Sequence, residues 1–204
     1  LDGGGDDSYS GRPAFGLQKA AVAIDLGGND RLQLQDGGGG VGLLGCGIMR
    51  MVGGDDTFQG RYVNFGVGLL GTGALAKEGG DDHYRNAVIG QGVGEYGVGL
   101  VIDTAGDDDY RLALMGQGAG RTRGLGWLVD RQGDDTYRAG GMLLNSPLFK
   151  DVNYSFAQGF GMGYREDTGG TSGGIGLLTD LSGMDAYIGE TYCQAASYWY
   201  SLGS

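Results

Sequence analysis

The sequence predicts an all-β fold: a parallel β-solenoid, either a β-roll or a β-helix, with about 26 residues per coil. Two observations lead to this prediction. A Gly-Asp-Asp-x-aromatic phrase recurs along the whole chain, and a Gln-Gly-x-Gly phrase follows it at a fixed distance. Self-similarity at a fixed period is the signature of stacked repeat units, each of which buries its apolar face on its neighbours.

The Gly-Asp-Asp phrase predicts a turn, because Gly adopts positive φ angles and Asp bonds nearby backbone amides. Its seven copies, some of them degenerate, are Gly5–Tyr9, Gly28–Leu32, Gly54–Phe58, Gly80–Tyr84, Gly106–Tyr110, Gly133–Tyr137 and Gly183–Tyr187. The closing residues are separated by steps of 23, 26, 26, 26, 27 and 50 residues. The last step is one coil that contains insertions.

The segments between the turns are predicted to be strands. Gln91 follows Tyr84 by seven residues, Gln117 follows Tyr110 by seven, and a third phrase such as 97–103 comes next. These segments are short and rich in β-branched residues. They also contain Gly at every second position, and each Gly would cost a helix about 1 kcal/mol relative to Ala.

The Gly spacing leaves only hydrogens on one face of a strand, so an opposing backbone can approach closely. A two-sheet roll and a three-sided helix both fit the period, and we favour two sheets. A consecutive antiparallel sheet of repeated hairpins is the alternative.

We predict a single solenoid domain over residues 1–204, with an elongated coil whose loop inserts occupy about 138–174. Tyr137 and Gln158 are 21 residues apart, where seven is the spacing elsewhere. Loops that interrupt a solenoid often have functional roles. We expect no enzyme, but a polysaccharide lyase or hydrolase site would be sought there, among Lys150, Asp151, Tyr164, Arg165, Glu166 and Asp167.

The composition excludes several classes of partner. The formal net charge is −11, which disfavours binding to nucleic acid and to anionic membranes. No apolar run approaches the ~18 residues of a membrane span, so we expect no membrane insertion. The two cysteines, Cys46 and Cys193, lie far apart in sequence, and we expect free thiols rather than a disulfide scaffold.

The clustered aspartates predict a row of Ca²⁺ sites between coils. Stacking brings carboxylates of neighbouring coils together, and Ca²⁺ takes 6–8 oxygen ligands from carboxylates and carbonyls. The candidate ligands are Asp25, Asp30, Asp55, Asp56, Asp81, Asp82, Asp103, Asp107, Asp108, Asp130, Asp134, Asp135, Asp180 and Asp185. The alternative is that each Asp only caps its own turn. In one coil Lys77 takes the place of an Asp, where its own charge can replace the ion.

Two further columns of residues recur once per coil. The aromatic column consists of Tyr9, Phe58, Tyr84, Tyr110, Tyr137 and Tyr187, and the glutamine column of Gln91, Gln117, Gln158 and Gln194. We expect the rings to stack on one another as a structural ladder, with a sugar-binding aromatic strip as the alternative. We expect the glutamines to form an amide ladder, with a polar binding face as the alternative.

The segments 53–58 and 79–84 resemble part of the RTX calcium-binding repeat, the Gly-Gly-x-Gly-x-Asp-x-apolar-x nonapeptide of secreted bacterial β-rolls. The match covers about six residues per unit, and the period here is near 26 rather than 9 or 18. The whole unit is also similar to bacterial repeat proteins with Gly-Gly-Asp-Asp-x-Tyr and Gln-Gly-x-Gly phrases. The RTX resemblance implies calcium binding and secretion.

The resulting expectation is an extracellular or cell-surface structural and adhesive protein that binds Ca²⁺. Its partners are expected to be further copies of itself, stacked head to tail into fibres, or surface glycans. The register motivates the fibre expectation, since the last unit stops about where the first begins. The alternative is a carbohydrate-binding or polysaccharide-processing β-helix domain centred on the elongated coil.

Overall fold

The computed structural model describes residues 1–164 and 172–204, and these residues form strands and turns without any helix. About seven coils stack into a β-solenoid, with roughly 26 residues between equivalent positions. Arg165, Glu166 and Asp167 of the elongated coil lie outside the described residues. The described residues therefore contain no helix that could span a membrane.

Three sheets run along the solenoid. Sheet A begins each coil with β1 (Ser8–Gly11), β4 (Arg31–Leu34), β7 (Thr57–Gln59), β11 (His83–Gly90), β14 (Asp109–Gly116), β17 (Thr136–Ala139) and β22 (Ala186–Ile188). It also includes β8 (Tyr62–Asn64), β18 (Leu143–Leu144), β19 (Asn153–Ala157) and β23 (Thr191–Cys193).

Sheets B and C complete each coil. Sheet B contains β2 (Phe15–Leu17), β5 (Val41–Leu43), β9 (Val67–Leu69), β12 (Val93–Glu95), β15 (Ala119–Gly120), β20 (Gly161–Met162) and β24 (Ser197–Tyr198). Sheet C contains β3 (Ala20–Asp25), β6 (Cys46–Val52), β10 (Thr72–Glu78), β13 (Val98–Asp103), β16 (Leu125–Asp130), β21 (Ile175–Asp180) and β25 (Leu202–Gly203).

Equivalent strands of successive coils pair in parallel, which confirms the solenoid and excludes the antiparallel hairpin alternative. Tyr84 lies beside Phe58 on one side and Tyr110 on the other, in register. Among the described strands, the one antiparallel pair is β18 with β19, in the elongated coil.

The preference for two sheets was wrong, because each coil has two bends besides the Gly-Asp-Asp turn. The bend between sheets B and C falls at Tyr96, with a positive φ of 46°, and Gly97. Gln91 and Gly92 both have positive φ angles, 58° and 81°, and they turn the chain from sheet A into sheet B. The same bend recurs at Gln117 and Gly118. The Gln-Gly-x-Gly phrase therefore contains both a bend and the start of a third, very short strand.

Close packing of sheet B on sheet C explains the alternating glycines. A Cβ on Gly99 of sheet C would lie 1.9 Å from the carbonyl oxygen of Val93 in sheet B. A Cβ on Gly94 would lie 2.0 Å from the carbonyl oxygen of Leu125. No side chain fits at either position, so the two backbones lie in direct contact, as the Gly spacing predicts.

The core lies inside the coils as columns of equivalent residues. On the sheet A side, the buried rings of the aromatic column pack against sheet C residues such as Leu75, Val101 and Leu128. A second column, which includes Val41, Val67 and Val93 of sheet B, packs beneath the chain that joins sheet A to sheet B. The tyrosine hydroxyls of the first column bond aspartates beside the Asp-rich turns, where the candidate site lies.

Candidate metal centre

The Gly-Asp-Asp turns hold two separate ladders of aspartates. The first acidic position of each turn, here called the outer turn position, is exposed to solvent. In this ladder the side chain of each coil accepts a hydrogen bond from the backbone amide of the next coil. Asp81 accepts from the amide of Asp107 at 2.9 Å, and Asp107 accepts from the amide of Asp134 at 2.9 Å.

The second acidic position, here called the inner turn position, forms a buried ladder that runs in the opposite direction. Oδ1 of Asp108 accepts from the amide of Asp82 in the preceding coil at 2.7 Å. Oδ1 of Asp135 accepts in the same way from the amide of Asp108 at 2.8 Å. Each inner turn aspartate thus uses one oxygen to join two coils, and its Oδ2 is left to face the core.

A third position, at the end of the long strand in sheet C or one residue before it, faces the inner turn aspartates. We call it the strand-end position. It is Asp25, Met51, Lys77, Asp103, Asp130 and Asp180 in successive coils. Where it is Asp, its Oδ2 accepts a hydrogen bond from the tyrosine of the aromatic column, as in Tyr84 to Asp103 at 2.6 Å and Tyr110 to Asp130 at 2.7 Å.

These positions together form carboxylate triads. Each triad has one strand-end aspartate between two inner turn aspartates, and its oxygens lie within 4.8 Å of one another. The triads are Asp82, Asp103 and Asp108; Asp108, Asp130 and Asp135; and Asp135, Asp180 and Asp185, with a similar group of Asp2, Asp7 and Asp25 at the first coil. Oxygens at that separation can all lie 2.3–2.6 Å from a common Ca²⁺ ion.

The triads bury negative charge, and the one described cation in an ion pair with a triad carboxylate is Lys77, which contacts Asp82. Asp135 Oδ2 is buried and has no hydrogen-bond partner among the described residues. Desolvation by burial raises the pKa of Asp82 and of Asp135 to about 8, and that of Asp108 to about 10. Buried carboxylates this close cannot all be ionised unless a cation lies between them, so each triad at neutral pH holds either protons or a cation.

Lys77 places a cation at the strand-end position of one coil. Its Nζ lies 3.4 Å from Asp56 Oδ2 and 3.1 Å from Asp82 Oδ2, and both of these carboxylates are buried. It also donates to the carbonyl oxygens of Gly54 at 2.8 Å, Gly53 at 3.3 Å and Gly79. Desolvation lowers the pKa of Lys77, but the charges of Asp82 and Asp56 outweigh it, so the net pKa is raised and the ammonium stays charged.

The aromatic column changes together with the strand-end position. The pairs are Tyr9 with Asp25, Leu32 with Met51, Phe58 with Lys77, Tyr84 with Asp103, Tyr110 with Asp130 and Tyr137 with Asp180. A tyrosine hydroxyl is present where the strand-end position has an aspartate to accept its hydrogen bond, and it is absent where that position is Lys or Met. This coupling is visible in the sequence alone.

The structure separates the predicted calcium ligands into three groups. The triads bring together Asp25, Asp82, Asp103, Asp108, Asp130, Asp135, Asp180 and Asp185, together with Asp2 and Asp7, which were not predicted as ligands. Asp56 contacts Lys77, and Asp30 lies in the inner ladder of the Met51 coil. Asp55, Asp81, Asp107 and Asp134 are the exposed outer turn residues, where they accept backbone hydrogen bonds as capping predicts.

The rings of the aromatic column stack as expected. Centroids of successive rings from Phe58 to Tyr187 lie 4.6–4.9 Å apart, with interplanar angles of 9° or less. Tyr84, Tyr110 and Tyr137 are fully buried, so they cannot contact a polysaccharide. This confirms the structural interpretation of the column and removes the sugar-binding strip for these rings.

The glutamine column does not form the expected amide ladder. Nε2 of Gln117 donates to the carbonyl oxygens of Tyr110 at 3.0 Å and Arg138 at 3.2 Å, and Gln91 bonds sheet A in the same way. The positive φ at each glutamine directs its side chain back across sheet A. There the amide group lies close to backbone carbonyls, and it bonds them rather than the next glutamine of the column. These glutamines therefore fasten two neighbouring coils.

Comparison with models of known protein families, with curated proteins and with solved structures finds no match to this chain. The geometry of the triads and the contacts of Lys77 are therefore the observations that bear on function.

Proposed function

We propose that this chain is an extracellular or cell-surface structural repeat protein whose coils are joined by Ca²⁺ ions at the carboxylate triads. The observation that supports this most is the ammonium of Lys77. In one coil a covalently attached cation lies between two inner turn aspartates, and one coil later Asp103 occupies the same position and has no such cation. The same turn thus accepts a cation from the chain itself.

The chemistry of the triads favours Ca²⁺ over softer metals. All the side-chain donors are carboxylate oxygens, which suit Ca²⁺ and Mg²⁺ rather than thiolate- or imidazole-seeking metals. Lys77 bonds three backbone carbonyls, and the register places the carbonyls of Gly79, Gly80 and Ala105 at the equivalent positions beside Asp103. A donor set of carboxylates and carbonyls allows the 6–8 oxygens of Ca²⁺.

An extracellular location follows from the same proposal, since extracellular calcium modules work at 10⁻⁴–10⁻³ M Ca²⁺, a concentration that keeps weak sites loaded. In this role the ion replaces protons at the triads and holds the coils rigid. Adhesion, and the assembly of copies head to tail, remain predictions within this proposal.

The test compares two neighbouring aspartates by calcium titration calorimetry on chelator-treated protein. Asp108→Asn alters a residue shared by two triads, and we expect it to remove or weaken calcium binding. Asp107→Asn alters the exposed outer position. In an earlier turn Asn29 already accepts the equivalent hydrogen bond, from the amide of Asp55, so we expect unchanged calcium binding. Equal binding by wild type and Asp108→Asn, or no binding by wild type, would remove calcium from the proposal.

A further inference from the structure

The outward face of sheet C is apolar. In the six long strands, of six or seven residues each, the first, third and fifth side chains point away from the core. They are Ala20, Val22 and Ile24; Cys46, Ile48 and Arg50; Thr72, Ala74 and Ala76; Val98, Leu100 and Ile102; Leu125, Trp127 and Val129; and Ile175, Leu177 and Thr179. All but Arg50, Thr72 and Thr179 are apolar. Val22 is 61% exposed, Ile175 43% and Ile48 40%.

Sheet A of the same molecule has the opposite pattern, and so serves as an internal comparison. The outward residues that flank its aromatic column are Ser8 and Ser10, Arg31 and Gln33, Thr57 and Gln59, His83 and Arg85, Asp109 and Arg111, and Thr136 and Arg138. Only the last strand, β22, has apolar residues at these positions, Ala186 and Ile188. The apolar character of sheet C is therefore not shared by sheet A.

We propose that the outward face of sheet C binds the same face of a second copy of this chain. Six strands, each about 4.8 Å wide and six or seven residues long, give a flat footprint of roughly 29 by 20 Å, or about 600 Å² per copy. Two copies would bury about 1,200 Å², which reaches the size of a stable protein interface. A monomer rarely leaves an apolar patch of this size exposed.

Charge also favours a second copy. The chain has a net charge of −11, but the aspartates of sheet C, such as Asp103 and Asp130, are buried and face inward. The charged side chains described on this face are Arg50 and Glu78, which pair with each other at 2.6 Å. Two such faces therefore meet without opposing like charges. The pairing is isologous, with the sheets about 10 Å apart as in other stacked sheets, and Trp127 supplies a large aromatic contact.

Sedimentation equilibrium of the full chain tests the pairing, and we expect twice the 21.1 kDa chain mass. The variant has Ile48→Lys and Val98→Lys, two exposed changes on the sheet C face, and we expect the mass of a monomer. The matched control has Gln33→Lys and Gln59→Lys on sheet A, with the same change in charge, and we expect it to stay dimeric. A monomeric wild type, or a variant that remains dimeric, would overturn the proposal.

A second measurement covers the case in which the lysine variant fails to fold. In a Trp199→Phe background the fluorescence comes from Trp127 alone, because the chain has two tryptophans. We expect its emission to shift to the blue as protein concentration rises, since pairing removes its indole from water. Emission independent of concentration would argue against the pairing. An open-ended series of masses that Ile48→Lys and Val98→Lys leave unchanged would also overturn it, in favour of end-to-end stacking.

Discussion

Replacing Lys77 and Phe58 with the residues found one coil later tests whether the turn is built for a cation. The double variant Phe58→Tyr with Lys77→Asp recreates the arrangement of Tyr84 and Asp103. It removes the ammonium and adds a carboxylate between Asp56 and Asp82. The turn then has the composition of a complete triad, and it requires an external cation.

The expected loss of stability in chelator follows from the contacts of Lys77. Its Nζ contacts two fully buried carboxylates, at 3.4 and 3.1 Å. Removing one partner of a buried ion pair costs about 3–5 kcal/mol. For a chain of this length each kcal/mol lowers Tm by about 2–4 °C, so we expect a fall of roughly 6–20 °C in EDTA.

Calcium is expected to restore most of this loss. A ligand at 100 times its Kd adds about 2.7 kcal/mol to the free energy of unfolding, and at 1,000 times its Kd about 4.1 kcal/mol. Thermal melts of the double variant with EDTA and with CaCl₂ measure the recovery of Tm. By titration calorimetry we expect the double variant to bind one more equivalent of calcium than the wild type. The single variant Lys77→Met, which copies the Met51 coil, is the control and should bind no additional calcium. A double variant that binds no additional calcium would refute the cation role of this turn.

Three further predictions follow from individual contacts. In EDTA the free energy of unfolding should fall as pH rises from about 4 to about 8, because native Asp135, with its pKa raised from 3.8 to about 8, holds a proton that the unfolded chain has released. Urea denaturation at pH 5 and pH 8 checks the sign, and equal stability would contradict it. Tyr110→Phe removes the 2.7 Å hydrogen bond to Asp130 but keeps the stacked ring, as at Phe58. We expect the free energy of unfolding, measured by urea denaturation, to fall by about 1.5–3 kcal/mol. A fall below about 0.5 kcal/mol would contradict the importance of that hydrogen bond. Gly99→Ala should prevent folding, because the new Cβ would lie 1.9 Å from a carbonyl oxygen. The control Gly3→Ala, whose Cβ would have no atom within 4 Å, should leave the circular dichroism spectrum and Tm unchanged. A normally folded Gly99→Ala protein would contradict the close approach of sheets B and C.

The sequence was sufficient to predict the solenoid because its repeats have a constant period. Equivalent residues such as Tyr84 and Tyr110 are 26 positions apart, and only parallel stacking keeps them in register. The stacked rings and the close approach at Gly99 follow from the same spacing.

The number of sheets was not predictable in the same way. The bend at Gln91 and Gly92 depends on a positive φ at a glutamine, a conformation that is uncommon outside Gly, Asn and Asp. A two-sheet roll needs only this corner besides the Gly-Asp-Asp turn, and the corner that the sequence did not indicate is the third, where Tyr96 also has a positive φ, 46°. Tertiary structure stabilises the conformation at Gln91, because the glutamine side chain bonds backbone carbonyls of sheet A.

The candidate site was predicted as a region but not as an arrangement. Spacing alone could not separate Asp107, which faces solvent, from Asp108, which is buried, because the two are adjacent in one turn. The change from Tyr84 with Asp103 to Phe58 with Lys77 was available in the sequence, and it identifies which aspartates face the core.

The most direct test of the central claim is anomalous diffraction from crystals grown with Ca²⁺. We expect a peak 2.3–2.6 Å from carboxylate oxygens of Asp108, Asp130 and Asp135, and no peak between Asp56 and Asp82, where the ammonium of Lys77 already lies. Triads with no anomalous peak at saturating Ca²⁺, or calcium found only at the exposed outer turn aspartates, would contradict it.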